Sequence, residues 1–413
     1  MGHQWREREI NPAQTVHMFT HQIRSGNCAC NELRHLSGID VTGSAYCQAR
    51  QRLPLEVIKR INTEVDRAFL ETKLSQRLWH GHRVALLDGS SFSMSDEAEL
   101  REEFGGPSGQ AEGCGFPAAH ILAMFDLGTG MLRDIALAPM NTNDLAQVAT
   151  LHPILQEGDI TLGDRAFCSF AHLALTLAAR RHAVFRAHQK QIIDFTRRRP
   201  HVMPGDDNPR HRPTSRWIKR LGQNDQLVEY YKPRLKPDWM TQAQYDALPA
   251  SITVREIRYT IRTSGCRTEE VTLVTTLLDA GKYSAKEIAR LYGLRWVVEG
   301  NLRYLKTQMG MEVLKCKTVD GVTKELMMFV LVYNLVRTIM IDAGHRQRVD
   351  PRRISFMDAL RWLKHAPPGS DLPELVVNPH RPNRAEPRVK KRRPKDFDLM
   401  NKPRAQLRHA LVE

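Results

Sequence analysis

Four side chains that could act on a phosphodiester recur within one short segment of the chain. Tyr292, Arg295, Glu299 and Lys306 follow one another at intervals of three, four and seven residues. On one α-helix, at about 100° per residue, they would project within roughly 60° of one another along about 20 Å. A carboxylate flanked by two cations and a phenol suits a metal ion beside a run of phosphates. The alternative is an exposed helix face of ordinary ion pairs.

Two further carboxylates follow predicted strands. Asp88 comes after the apolar run 84–87, and Asp164 comes after the strand-like run 159–162 and Gly163. Active-site groups of α/β domains often lie at the carboxyl ends of strands, where neighbouring ends converge. If these two strands pair, Asp88 and Asp164 lie side by side, and a helix packed over that edge would bring Glu299 to them. The plainer interpretation of such an aspartate is a turn or capping residue.

Three carboxylates in one place predict divalent cations. They repel one another and need positive charge to ionise together. Hard oxygen ligands select Mg²⁺ or Mn²⁺, and two such ions about 4 Å apart can clamp a phosphodiester during an in-line displacement. Arg295 and Lys306 would then hold backbone phosphates on either side of the scissile bond, and Tyr292 would donate a hydrogen bond to a phosphate.

The composition fits a polyanionic partner. The chain has 413 residues, 41% of them hydrophobic, and a formal net charge of +15. A protein this basic most often meets nucleic acid, although a charged surface without a partner is the alternative. We find no uninterrupted apolar stretch long enough to span a bilayer and no secretory signal, so we expect a cytosolic protein without membrane contact. Seven scattered cysteines without a C-x2-C pair predict neither structural zinc nor a disulfide framework.

The chain divides into three predicted parts. Residues 1–75 have helical periodicity and many cations, which fits a DNA-binding module or, about equally well, a plain helical packing domain. Residues 76–370 read as strand, hairpin, helix, strand, helix, strand, a mixed α/β sheet covered by helices, with a β-rich insertion at about 190–280. Residues 371–413 form a basic, proline-rich tail that would grip phosphates or simply remain solvated; it includes Lys390, Lys391, Arg392 and Arg393.

These motifs together resemble the bacterial DDE transposases of insertion-sequence family four. The Y-x2-R-x3-E-x6-K signature of that family is matched at Tyr292, Arg295, Glu299 and Lys306. The first aspartate lies in Leu-Asp88-Gly-Ser, and the second lies in Gly-Asp164-Arg-Ala-Phe. The resemblance runs from about residue 40 to 405 and includes the β-rich insertion and the basic tail.

The resemblance implies a fold and an activity. The fold is an RNase H-like mixed sheet, with Asp88, Asp164 and Glu299 as catalytic ligands of two Mg²⁺ or Mn²⁺ ions. The activity is binding of double-stranded DNA at the element's inverted repeats, cleavage of the element ends and transfer of the 3′-OH ends into target DNA. The transposase would act on the bacterial nucleoid as a homodimer or larger synaptic complex.

Further DNA contacts are less strongly indicated. Arg165 follows Asp164 and would support it or touch DNA. Some relatives pass through a hairpin and stack a flipped base on a tryptophan of the insertion. Trp239 is our candidate for that role, and its rivals are Trp217, Tyr230 and Tyr231.

Two other functions remain open from the sequence. A metal-dependent nuclease or resolvase would use the same core and would differ only in lacking strand transfer. A transposase-derived protein that binds DNA without cutting it would not need intact carboxylates. The presence of Asp88, Asp164 and Glu299 argues against this third function.

Overall fold

The computed structural model describes residues 10–71, 78–107, 113–261, 269–367, 369–379 and 402–410. The strands in these ranges are β1 Val84–Met94, β2 Ala118–Asp126, β3 Leu132–Pro139, β4 Ile160–Gly163, β5 His182–Arg186, β6 Arg216–Gly222, β7 Asp225–Tyr231, β8 Ser251–Ile261, β9 Glu269–Thr275 and β10 Val313–Leu314. The α-helices are α1 Pro12–Arg24, α2 Leu33–Ser37, α3 Gly43–Arg52, α4 Leu55–Glu71, α5 Ala98–Phe104, α6 Asp144–Leu151, α7 Phe170–Ala178, α8 Gln242–Asp246, α9 Ala285–Gly293, α10 Val297–Arg303, α11 Val319–Arg346, α12 Phe356–His365 and α13 Arg404–His409.

The strands form one mixed sheet in the order β3-β2-β1-β4-β5-β9-β8-β7-β6, with β10 added beside the far end of β1. Strands β1, β4 and β5 run parallel, whereas β2 and β3 are antiparallel neighbours. The order 3-2-1-4-5 with an antiparallel hairpin on one side is that of an RNase H-like core. The predicted fold class is therefore confirmed.

The segment predicted as a β-rich insertion continues the same sheet. Strand β9 pairs antiparallel with β5, and β8, β7 and β6 follow outward. A buried ion pair joins Arg255 of β8 to Asp225 of β7, with Nη2 and Oδ2 2.5 Å apart. Arg255 also donates to the backbone oxygen of Tyr283 at 2.7 Å. Because a broken buried pair is costly, this contact fixes the outer strands to the segment that leads into α9.

The two faces of the sheet bury separate cores. Leu86 and Leu162 belong to a core that includes α11 and the N-terminal helices. Leu87 and Met124 belong to a second core under α6 and α7. This division follows from the alternation of side chains along a strand. It matters for the site because residues at even positions of β1 share the face that α10 and α11 cover.

Helix α11 is the central helix of the first core. Asn334 of α11 accepts from the backbone nitrogen of Leu132 and donates to its oxygen, both at 2.9 Å. The Tyr333 hydroxyl donates to the Gly130 oxygen at 2.8 Å. Gly130 belongs to the predicted Gly128–Gly130 turn, where Asp126 accepts from both the nitrogen and the hydroxyl of Thr129. Helix α11 therefore holds the β2–β3 hairpin through backbone hydrogen bonds as well as apolar packing.

We expected no segment that could span a bilayer. That expectation was wrong if length and composition are the only criteria. Helix α11 is long and apolar enough to pass that test, although 72% of its most apolar window is buried inside the protein. Its apolarity extends beyond the run Leu326–Tyr333 because the helix packs against the sheet and against α4 and α12 at once. This burial is the pattern of a core helix.

The N-terminal helices pack against α11 and share its core. Asn62 of α4 donates to the Met327 oxygen at 3.1 Å. Glu325 of α11 is fully buried and accepts hydrogen bonds from Asn27 and from the backbone nitrogens of Lys315 and Cys316. A buried carboxylate that accepts from several donors therefore anchors the segment at Asn27 and the segment at Lys315 and Cys316 to α11. The assignment of residues 1–75 as a DNA-binding domain stays a prediction.

Two segments depart from the expected pattern. Strand β1 does not end at Leu87 but continues through Asp88 to Met94, because β2 pairs along its length to Ser93. The tail contains a short helix, α13, rather than only extended chain. The basic cluster Lys390, Lys391, Arg392 and Arg393 lies outside the described residues, so its role stays a prediction.

Substituting Asn334 tests the hydrogen bonds between α11 and the β2–β3 hairpin. Asn334→Leu would leave the backbone nitrogen and oxygen of Leu132 buried without partners, which costs about 3 kcal/mol. We expect a matching fall in the free energy of unfolding, measured by urea denaturation. Asp342→Asn, at an exposed position of the same helix, should change it by less than about 0.5 kcal/mol. Equal effects of the two substitutions would contradict this account.

Candidate active site

Asp88 and Asp164 occupy equivalent positions on adjacent parallel strands. The register of β1 and β4 pairs Leu86 with Leu162, so Asp88 and Asp164 each lie two residues further on. Leu86 and Leu162 point into the same core. Because side chains two residues apart share a face, both carboxylates leave the sheet on the side covered by α10 and α11. The predicted pairing of these strands is confirmed.

Local backbone hydrogen bonds orient both carboxylates. Asp164 caps a 3₁₀ turn over Arg165–Phe167, and its Oδ1 accepts from the Ala166 nitrogen at 2.7 Å. Asp88 Oδ1 accepts from the Gly89 nitrogen at 3.1 Å. Asp164 is thus also the capping residue that the plainer interpretation expected. A cap and a functional carboxylate are compatible, since the cap limits the rotamers of the side chain.

The prediction that the four signature residues lie on one α-helix is wrong. Helix α9 ends at Gly293, a 3₁₀ turn covers Leu294–Trp296, α10 follows, and a π turn covers Tyr304–Gln308. Gly293 has a low helix propensity, and the 3₁₀ and π turns change the angle between successive residues. The stripe of roughly 60° assumed an uninterrupted α-helix and therefore does not apply.

The signature residues consequently differ in exposure. Tyr292 and Arg295 are buried, whereas Glu299 is exposed and Lys306 is half-buried. The Arg295 guanidinium lies 3.4 Å from Glu299 Oε1, with side chains 10% and 49% exposed respectively. The same guanidinium lies 4.8 Å from the ring centroid of the exposed Trp296. A buried cation therefore contacts an exposed carboxylate above the strand edge.

The electrostatics bring the three carboxylates into one environment. The pKa of Asp88 is raised to about 6: burial is the largest cause and the charges of Asp164 and Glu299 add to it, while Arg295 and the Gly89 amide oppose the shift. Helix α10, which carries Glu299, packs directly on β1. Burial likewise raises the pKa of Tyr292 to about 12, with Arg295, Arg186 and Asp164 all acting on it. The fold therefore gathers the predicted residues at one edge of the sheet.

The carboxylate oxygens of this site suit a divalent cation, although the described side chains are not arranged as a complete set of metal ligands. No group of three or more His, Cys, Asp or Glu within the described ranges is arranged to hold a metal ion. Glu299 contacts Arg295 instead. However, the three groups offer only carboxylate oxygens, which Mg²⁺ and Mn²⁺ prefer. The pKa of Asp88 is raised mainly by burial, and Arg295 offsets that rise only in part, so a further cation beside this carboxylate would favour its ionised form.

The other predicted contacts are distributed around this edge and in the outer sheet. Arg165 is half-buried beside Asp164 and donates to Gln189 at 3.1 Å. Trp239 lies after β7 and is partly buried against the second core. Among its rivals, Tyr230 donates to the buried Glu256 at 2.8 Å, and the Tyr231 ring stacks on His201. Trp217 is half-buried in β6.

Arg186 is a site residue that the sequence analysis missed. It ends β5, where Phe185 pairs with Gly163, so Arg186 is level with Asp164 on the next parallel strand. It also acts on the pKa of Tyr292. A signal was available in principle, because Arg186 lies near the end of the apolar run 183–187, as Asp88 and Asp164 lie near the ends of theirs.

A second missed feature backs the first aspartate. The pair His120–Asp144, with Nε2 and Oδ1 2.5 Å apart, lies against Gly89. A Cβ at position 89 would meet Asp144 Oδ1 at 2.7 Å. Only glycine therefore fits beside Asp88 without displacing that pair. His120 stood out in the sequence only as a lone histidine without a role.

Comparison with known proteins identifies the class. Residues 79–335 match the family described as the transposase DDE domain, which spans more than half of the chain. The chain therefore belongs to the DDE transposase family. It is 27% identical to the transposase InsG of insertion sequence element IS4 from Escherichia coli K12, over 86% of this chain and 77% of that protein.

A second relative and a solved structure complete the comparison. The protein InsZ of the same strain is 25% identical over 54% of this chain and 69% of its own length. Among solved structures, the piggyBac transposase synaptic complex with hairpin DNA is 14% identical, covering 87% of this chain and 72% of that chain with a TM-score of 0.42.

The raised pKa of Asp88 predicts a pH-dependent stability. A folded-state pKa of about 6 against an ordinary value of 3.8 means that the folded protein binds this proton more tightly. The free energy of unfolding should therefore fall as pH rises from about 4 to about 6. Asp88→Asn removes this loss, so without metal it should raise stability by roughly 3 kcal/mol at pH 7.5 and have little effect below pH 4. Urea denaturation at both pH values measures the difference, and a gain that is independent of pH would contradict the assignment.

Proposed function

We propose that this DNA transposase binds the terminal inverted repeats of its element, hydrolyses the element ends and joins the resulting 3′-OH ends to target DNA. One observation carries the proposal: Asp88 and Asp164 are level on adjacent parallel strands, and Glu299 shares their electrostatic environment. Family membership supports the transposase activity. The cut-and-paste route itself is our inference.

Asp88, Asp164 and Glu299 would hold two Mg²⁺ or Mn²⁺ ions. When bound, such ions activate the attacking oxygen and stabilise the leaving oxygen of an in-line displacement. The backbone bonds of Asp88 and Asp164 orient these two carboxylates. Glu299 is half exposed and meets Arg295 only at 3.4 Å, so its side chain can turn toward the aspartates. Because Asp88 must be ionised to ligate, cation binding would release its proton.

The cations around the site would position the DNA strand. Arg295, fixed by burial and by the Trp296 ring, supplies a rigid guanidinium beside the carboxylates. Along the sequence, Arg165 precedes Arg295 and Lys306 follows it. Arg186 adds a further guanidinium level with Asp164. Guanidinium groups bind phosphate oxygens in pairs, which fixes the register of the backbone without reading bases. Tyr292 would reach a phosphate only from its buried position.

The remaining parts of the chain would supply affinity and assembly. We infer that the N-terminal helices and the basic tail, including Lys390, Lys391, Arg392 and Arg393, contact the inverted repeats and the target through phosphates. Trp239 is retained as the candidate platform for a flipped base, if cleavage passes through a hairpin. The name of the piggyBac structure records hairpin DNA for that protein. We further infer a homodimer or larger synaptic complex acting on the bacterial nucleoid in the cytoplasm.

A nuclease or resolvase on the same core is the second candidate. It would use the same three carboxylates and differ only in the fate of the cut end. Incubating the protein with labelled inverted-repeat DNA, Mg²⁺ and a supercoiled target separates the two. Joined products support the transposase, whereas cut ends without joined products favour the nuclease.

Asp88→Asn tests the proposed metal-ligand role. We expect nicking of labelled inverted-repeat DNA to fall by at least about 10³-fold, since an amide loses the charge that the divalent ions require. Binding of the same DNA, measured by gel shift, should change less than about threefold. Asp159→Asn is the matched control, because Asp159 precedes β4 at its opposite end and is also buried. Parallel loss of binding and nicking in Asp88→Asn, or equal loss in the control, would remove Asp88 from the site.

Lys306→Ala tests the phosphate track. The binding constant K falls as salt rises, so the slope of log K against log salt is negative. If Lys306 neutralises one phosphate, its removal should make that slope less steep by about 0.9. Lys317→Ala is the control, because Lys317 is exposed and pairs with Glu97 at 3.0 Å. The slopes come from binding titrations between about 50 and 200 mM salt. An unchanged slope for Lys306→Ala would place this lysine off the DNA path.

A further inference from the structure

Two thiols face each other outside the carboxylate site, among the N-terminal helices. Cys30 Sγ and Cys47 Sγ are 3.5 Å apart, although 17 residues separate them in the chain. Cys30 begins a 3₁₀ turn over Cys30–Glu32, and Cys47 lies in the middle of α3. Both are partly exposed, whereas the neighbouring Cys28 and Cys316 are buried. Cys30 and Cys47 are therefore the accessible pair of this group.

A cavity of about 390 Å³ opens onto the pair and is also lined by Cys28, Cys316 and Arg50. Arg50 is held in place, since it donates to Gln22 Oε1 at 2.9 Å and to Cys316 Sγ at 3.4 Å. Its guanidinium also lies over the Phe19 ring, 4.8 Å from the centroid. The Arg50 charge lowers the pKa of Cys30 and so opposes, in part, the effect of burial on that thiol. The cavity is large enough to admit a small oxidant.

The environment distinguishes the two thiols. Burial raises the pKa of Cys30 to about 11, and Arg50 only partly opposes the shift. Cys30 is therefore a poor initial nucleophile at neutral pH and suits the second, resolving role. A disulfide requires a sulfur–sulfur distance of about 2.05 Å, so the pair, 3.5 Å apart, must close by about 1.5 Å.

We propose that Cys30 and Cys47 form a reversible disulfide, with hydrogen peroxide as the oxidant. The Cys47 thiolate attacks one peroxide oxygen and breaks the O–O bond, giving a sulfenic acid and hydroxide, which takes up the proton lost by Cys47. The Cys30 sulfur then attacks the sulfenic sulfur, forms the S–S bond and releases water. Two thiols are oxidised, and one peroxide becomes two waters. Cytosolic disulfides of this kind are transient and sense redox conditions.

The cross-link would add a covalent bond between two elements that the reduced protein holds by packing and hydrogen bonds. It ties α3, which carries Arg50 and Arg52, to the turn that follows α1. Closing a loop of this length restricts the unfolded chain, so the oxidised protein should be the more stable form. The carboxylate site takes no part in the reaction.

Treating the full-length protein with hydrogen peroxide tests the proposal. Peptide mass spectrometry under non-reducing conditions should show a Cys30–Cys47 link, reversed by dithiothreitol. The link should persist in Cys28→Ser and disappear in both Cys30→Ser and Cys47→Ser. The thermal midpoint of the oxidised wild type should rise by about 3 °C, and neither serine variant should show the rise.

Other products would overturn the pairing. A link that includes Cys28 or Cys316, or sulfinic acid at Cys47 without any link, would show that the 3.5 Å contact does not direct the chemistry. Under reducing conditions, both serine variants should nick inverted-repeat DNA like the wild type. A loss of nicking there would show that the thiols serve the folded structure rather than a redox response.

Discussion

The parallel pairing of β1 with β4 is the constraint on which the site depends. Leu86 lies opposite Leu162, and this register alone makes Asp88 level with Asp164. A slip of one residue would turn one carboxylate into the opposite core, because side chains alternate between the faces. The two separate cores disfavour this slip. It would move Leu86 out of the core that includes α11 and Leu87 out of the core that includes α7. The apolar pattern of two short strands therefore determines where the chemistry can occur.

That arrangement stores an electrostatic conflict which the protein only partly relieves. Asp88 is buried near two other carboxylates, and Arg295 is the cation that opposes them. Arg295 is in turn tied to Glu299 and to Trp296, so one guanidinium serves several contacts. Burial is the main reason that ionised Asp88 is unfavourable, and the neighbouring carboxylates add to that cost. Cations placed beside these carboxylates would lower it.

Much of this could be predicted from residue patterns, and the failures have physical causes. Short apolar runs and a signature spacing marked Asp88, Asp164 and Glu299 as candidates, and the order of strands and helices along the chain predicted the mixed α/β class. The straight stripe from Tyr292 to Lys306 was wrong because helical periodicity does not reveal a 3₁₀ or π turn inside a helical segment. Arg186 and the His120–Asp144 pair were missed because they become significant only through register and through the far face of β1. Contacts between distant segments leave no local pattern.

The same sheet also connects the catalytic edge to the N-terminal helices. Strand β10 pairs with the end of β1 at Ser93 and Met94. It is followed directly by Lys315 and Cys316. Those two residues donate their backbone nitrogens to Glu325, and Cys316 meets Arg50 of α3. The strand that carries Asp88 is thus in unbroken contact with the helix that carries Cys47. Because these links are hydrogen bonds and a strand pairing beside one shared core, the N-terminal helices and the carboxylate edge pack together. Any DNA held by those helices would therefore be presented to Asp88 at a distance set by the fold rather than by a flexible linker.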